Sequence, residues 1–224
     1  MDLEYILSEI EEAKRVMNEL GLEVDVSEED FVLSYSPYFE FCSLTGIIQI
    51  PMGAWGRIFP QIAHELTHRF YYAEVRDFEK WKRKVREAKI PASKVLTLRG
   101  EEIPSPLDIA SYLVQQEDIE EPFLIHGVDL TEGPAHLVEL WAQGGLGRID
   151  EDLEMMLFER ILKSSPRPVS DPQFAFLLAS HVSNRYLNLV NKGLSPKEAV
   201  SEVITKFDFE GIRKLSEELY VRTF

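Results

Sequence analysis

The chain has 224 residues, of which 45% are hydrophobic, and carries a formal charge of −15. A chain of this length buries a core without disulfides or a structural metal, either as one compact domain or as one divided into two lobes. The acidic surface argues against nucleic acid and anionic membranes as partners and is compatible with cationic substrates. A single cysteine, Cys42, excludes an internal disulfide and fits a reducing compartment; it reads as a small buried hydrophobe. The N-terminal stretch is acidic and amphipathic, unlike a signal peptide, and runs such as FAFLLA at 174–179 are too short to span a bilayer. A soluble, cytoplasmic protein is expected, and the oligomeric state stays open.

Apolar residues at Leu3, Ile6, Leu7, Ile10, Ala13, Val16, Met17 and Leu20 follow helical spacing over 2–20, and Gly21 ends the pattern. Short strand-like pieces come next. FVLSY at 31–35 and FEFC at 39–42 flank a Ser-Pro turn, and Thr45-Gly46 leads into IIQI at 47–50, which stops at Pro51. This pattern predicts a small antiparallel sheet between about residues 31 and 50. A helix over 58–74 follows, with Pro60 in its first turn where a missing N–H does no harm. A further helix is expected at 77–89, and residues 96–106 read as a turn-rich loop. Helices are then expected at 107–119, 132–143, 150–163, 172–191, 196–206 and 208–220. The fold class is α+β and helix-dominated, with the small sheet packed on the 58–74 helix. The expected lobes are residues 1–90 at the front and 91–224 as a helical remainder, with a cleft between them.

One segment carries chemistry, His64-Glu65-Leu66-Thr67-His68. On a helix, residues four apart share a face, so His64 and His68 can hold one metal ion. Zinc accepts imidazole nitrogen, and a catalytic zinc takes three protein ligands and a water. Glu65 is rotated by about 100° from His64. It is poorly placed to share the ion but able to take a proton from metal-activated water. Residue frequencies give roughly 0.01 chance matches to H-E-x-x-H in a chain of this size.

The HELTH segment resembles the active-site helix of the zincin metallopeptidases. In the gluzincin group, the third zinc ligand is a Glu on a later helix, in many members within Asn-Glu-Gly-x-Ala. Thr131-Glu132-Gly133-Pro134-Ala135 resembles that second motif. The resemblance therefore implies a Zn2+ centre held by His64, His68 and Glu132, with Glu65 as general base and a peptide or protein as substrate. Two features depart from the group. Arg69 follows the second His where an uncharged residue is usual, and the interval from His68 to Glu132 is longer than in thermolysin-like enzymes.

Local physics supports Glu132 independently. Thr131 is a good N-cap, an acid suits the first helical turn, and Pro134 is still tolerated there. Gly133 removes side-chain bulk where a backbone must come close, which is expected to be at the metal helix. His136 and Glu139 remain competitors for the third position. His181 and Tyr186 are candidates to stabilise an oxyanion, as the resemblance suggests. IIQI could present an edge strand to an extended peptide. Two rival functions stay open: a zinc amidohydrolase acting on a small molecule, and a non-catalytic helical binding module that retains a metal site.

Overall fold

The computed structural model describes residues 3–146, 152–164 and 172–221, with the side chains of 219–221 excepted. The chain forms two compact units, residues 1–19 with 23–122, and residues 20–22 with 123–224. The first unit runs to Pro122. The architecture is α+β and dominated by helices, with a small mixed sheet.

The first unit opens with α1 (Leu3–Glu19), whose buried stripe is Ile6, Ile10, Ala13, Val16 and Met17. Five strands follow: β1 (Phe31–Ser34), β2 (Glu40–Phe41), β3 (Ile48–Pro51), β4 (Lys94–Thr97) and β5 (Glu102–Pro104). They pair in the order β2-β3-β1-β4-β5. The sheet is mixed, which corrects the antiparallel expectation. β1 runs parallel to β3, with Phe31 opposite Ile48 and Ser34 opposite Pro51, while the other pairs are antiparallel. The Ser-Pro segment does not fold β2 back beside β1. It carries Tyr35 and Tyr38 into solvent, and the chain returns on the far side of β3. The tight turn lies instead between β2 and β3, where Cys42 N–H donates to the Ile47 carbonyl at 2.9 Å and Gly46 N–H to the Cys42 carbonyl at 2.8 Å.

Two further expectations change. The 96–106 stretch is the end of β4, a turn closed by Gly100 N–H on the Thr97 carbonyl at 2.9 Å, and β5. The IIQI segment is interior, because β3 lies between β2 and β1; the sheet's edges are β2 and β5. All four residues of β1 are buried, so the central strand is covered on both faces. Val32, Cys42, Leu44, Ile47 and Val95 pack with Val85 of α3 (Phe78–Glu87) and with Ile109 and Ala110 of α4 (Pro106–Glu117). Cys42 is thus the buried hydrophobe expected, and burial pushes its thiol pKa up.

Helix α2 (Phe59–Tyr72) runs along β2 and β3, as anticipated, and also packs on α1. Its start is unusual. Ile58 has no side-chain oxygen to offer, and the helix's first N–H groups turn to Glu9 of α1. The Glu9 carboxylate accepts from Ile58 N–H at 2.6 Å and from Phe59 N–H at 2.9 Å. An acid at this end satisfies orphaned donors and meets the positive end of the helix dipole.

The second unit begins with a two-stranded hairpin, β6 (Leu124–Ile125) and β7 (Val128–Asp129). Both loop residues, His126 and Gly127, have positive φ, at 51° and 78°. That is the primed turn that matches strand twist, and glycine supplies half of it without strain. Helices α5 (Glu132–Ala142), α6 (Leu153–Ser164), α7 (Pro172–Asn191), α8 (Pro196–Thr205) and α9 (Phe209–Val221) follow, close to their expected spans. Residues 150 and 151 of the expected 150–163 helix lie outside the described residues. None of the described helices is long and apolar enough to cross a membrane.

Candidate metal centre

Helix α2 brings His64, Glu65 and His68 together in the first unit. All three are buried, at 6%, 7% and 5% exposure, in a helix whose neighbours Ile62, Ala63, Leu66 and Thr67 are completely buried. The two imidazole Nε2 atoms are 3.1 Å apart and the rings are edge to face. Two nitrogens that each bind one tetrahedral zinc at about 2.0–2.1 Å lie about 3.3–3.4 Å apart, so the observed pair is close to that spacing. One ligand atom from each of the three residues lies within 4.8 Å of the others. His64, Glu65 and His68 are therefore placed so that they could hold a metal ion. The donor set, two imidazoles and a carboxylate, suits a borderline transition metal better than calcium or magnesium, which favour all-oxygen shells.

The surroundings fix these side chains. Phe41 of β2 stacks on the His68 ring at 6.0 Å with planes 17° apart, and packs against Tyr72 one turn further on. Thr67, between the ligand candidates, donates to the Ala63 carbonyl at 2.9 Å and rests its hydroxyl on the Met17 sulfur. Arg69, the departure from the zincin pattern, is committed elsewhere. Its Nε and Nη2 donate to the Asp25 carbonyl at 3.0 and 2.7 Å, and its Nη1 donates to the Gly46 carbonyl. Nη1 also lies 3.3 Å from Asp30 Oδ1, which Lys82 approaches at 2.6 Å. Burial alone would raise the Asp30 pKa. The bond from Lys82, the Ser27 N–H and the Arg69 charge outweigh it and hold the carboxyl below its ordinary value. Arg69 thus anchors α2 to the 25–30 and Gly46 loops. Gly46, at φ 70°, is required there, because a Cβ would meet the Arg69 guanidinium at 2.6 Å and the Phe78 ring at 2.8 Å.

In the second unit, Glu132, His136 and Glu139 stand at i, i+4 and i+7 of α5 and share one face. His136 Nδ1 is 3.1 Å from Glu139 Oε2, and His136 Nε2 is 3.4 Å from Glu132 Oε2. The other Glu139 oxygen receives Arg160 of α6 at 2.8 Å and Gln143 at 3.0 Å. Thr131 does not cap the helix as expected. Its own backbone is helical, and its hydroxyl donates instead to Asp129 Oδ1 at 2.6 Å. Gly133 is where α5 comes close to α7: a Cβ there would meet Val182 at 2.9 Å and Leu178 at 3.1 Å.

The two candidates for an oxyanion role both lie on α7. Tyr186 is buried. His181 packs edge-on to Phe207, and burial, helped by the Arg185 charge, lowers its pKa. His126, given no role from sequence, has its Nε2 3.1 Å from the Ser216 hydroxyl. Sequence reasoning missed Phe41, Glu9 and Arg160. Each acts on a residue 17 or more positions away, and nothing in its own neighbourhood announces it.

Comparison with protein-family models, with curated proteins and with solved structures finds no match for this chain.

Proposed function

We propose that the chain is a zinc-dependent peptidase of gluzincin type, with His64, His68 and Glu132 as metal ligands and Glu65 as general base. One observation carries the proposal: His64 and His68 turn their Nε2 atoms toward each other at 3.1 Å inside a buried helix, with the Glu65 carboxylate in the same cluster. A buried imidazole pair of this kind, beside an acid that is one residue on, is the arrangement that metal-assisted hydrolysis needs. The motif that contains Glu132 nominates it as the third ligand. When bound, zinc supplies a Lewis acid toward the scissile carbonyl and makes a water acidic enough to lose a proton near neutral pH. Glu65 takes that proton as the water oxygen attacks the carbonyl carbon. It then gives the proton to the amide nitrogen as the C–N bond breaks, which leaves a carboxylic acid and an amine. Phe41 and Thr67 keep the imidazole helix in place while this happens.

The test separates ligand from base. Glu65→Gln is expected to keep about one zinc per chain and to lose about 10²–10⁴-fold in rate on a peptide library, since an amide cannot accept the proton. His64→Ala and Glu132→Ala are expected to lose both zinc and activity. Wild-type rates from Glu65→Gln, or a wild-type chain that takes up no zinc, would overturn the proposal.

A further inference from the structure

Helix α2 presents one polar stripe. Gln61, His64, Glu65 and His68 stand at i, i+3, i+4 and i+7 and so share a face. The residues between them, Ile62, Ala63, Leu66 and Thr67, are completely buried. Gln61 is half-buried, yet its side-chain oxygen Oε1 is closed off from solvent, and among the described residues no donor reaches it. A buried carbonyl oxygen without a donor costs free energy, so the group calls for an N–H or O–H that its neighbours do not supply.

The stripe indicates which donor that is. A helical side chain leans toward the N-terminus and covers the turn before its own Cα. The Glu65 side chain therefore lies over the turn that carries Gln61, and the two are neighbours on the side away from His68. In the proposed reaction Glu65 hands a proton to the nitrogen of the breaking C–N bond, which requires that nitrogen within hydrogen-bond reach of Glu65. The same nitrogen already carries an N–H, and an amide oxygen can only accept.

We infer that Gln61 contacts the substrate: its Oε1 accepts the N–H of the scissile amide and keeps hold of it as that nitrogen becomes the leaving amine. The inference rests on the proposed role of Glu65. Gln61 neither gains nor loses a proton, so it aligns the leaving group without entering the proton transfer. The substrate class it favours is a peptide whose scissile nitrogen carries a hydrogen. An ester, or a bond to the nitrogen of proline, offers none. If Gln61 only covered the helix surface, its loss would act on every such substrate alike.

A comparison of amide with ester tests this. The probes are the library peptide that the wild-type chain cleaves fastest and its depsipeptide, in which oxygen replaces the scissile N–H. Gln61→Met keeps an unbranched helix-forming side chain and removes the acceptor. The ratio of peptide to ester kcat/KM is expected to fall about 2–10-fold, the value of one hydrogen bond. Calorimetry in the slow Glu65→Gln background gives a readout without turnover. Adding Gln61→Met there is expected to lower the ratio of peptide to ester affinity by a similar factor. Unchanged ratios, whether both substrates keep their rates or both lose them together, overturn the contact. With Glu65→Gln slow, the proposed mechanism then still stands. Wild-type rates in Glu65→Gln, or a wild-type chain that cleaves no peptide of the library, overturn both.

Discussion

Helices α2 and α5 each bury a polar pair four residues apart, yet the two surround it differently. On α2 the partners are two imidazoles that face each other, an arrangement in which one proton at most can lie between the rings. On α5 the imidazole stands between two carboxylates, and Arg160 supplies a compensating cation. The first grouping gathers lone pairs and suits an added cation. The second sets two carboxylates against one guanidinium, with the imidazole between them. Members of the second cluster are partly paired with one another, whereas the first concentrates ligand atoms of one kind and suits a cation that arrives from outside.

The largest test of that contrast is stability in the presence of zinc. A metal that binds only the folded chain adds about 4 kcal/mol of unfolding free energy at a thousandfold its dissociation constant. Wild-type protein is expected to show this gain in urea titrations with and without chelator, and His68→Ala to show none. A similar gain in His68→Ala would place the ion away from α2.

Next comes Arg69, which anchors α2. Arg69→Met takes one of two cations from Asp30, leaving Lys82 and the Ser27 bonds, and removes the donors to the Asp25 and Gly46 carbonyls. Breaking a buried pair from one side costs about 3–5 kcal/mol, and chemical denaturation should show a loss of that order. The pH dependence has a definite sign. The Asp30 pKa is lowered in the folded chain, so its contribution is present above the ordinary carboxylate value of about 3.9 and is lost as the pH falls below it. Asp30→Asn should flatten that acid limb of the stability curve. An unchanged limb would show that other carboxylates produce it.

A smaller effect is expected where α5 is seated. Gly133→Ala forces a methyl against Val182 and Leu178 and should cost about 1–3 kcal/mol by overpacking. The smallest concerns where α2 begins. Glu9→Ala removes the acceptor for two N–H groups and should cost about 1 kcal/mol, typical of a lost cap, as read from thermal melts. A loss well under that figure would mean that water replaces the carboxylate.

The helices were legible because their apolar residues recur at helical spacing, as the stripe from Ile6 to Met17 shows. The His64, Glu65 and His68 cluster was legible for the same reason, since four residues along one helix fix a neighbour. Strand partners are not local in this way. Nothing within FVLSY specifies that Phe31 pairs with Ile48 in parallel rather than with the next strand in antiparallel register. The β4–β5 hairpin was hidden by Pro104 and Gly100, which read as loop residues although they sit at a strand end and a turn. The His126-Gly127 turn did carry a signal, a two-residue loop that ends in glycine between the β-branched residues Ile125 and Val128. Arg160 gave no sign at all, because its role exists only once α6 lies against α5.

The cap that Glu9 places on α2 bears on the order in which the chain folds. The carboxylate and the amide groups it serves are 49 and 50 residues apart. A segment that contained α2 alone would therefore begin at Ile58 with its first N–H groups unmet, and a helix of 14 residues is marginal by itself in water. The paired imidazoles should consequently take up their facing geometry late, after α1 has docked, because closing so long a loop precedes any gain from the contact. In a refolding experiment, protection of the α2 amides from hydrogen exchange is expected to lag that of α1, and Glu9→Ala is expected to widen the lag.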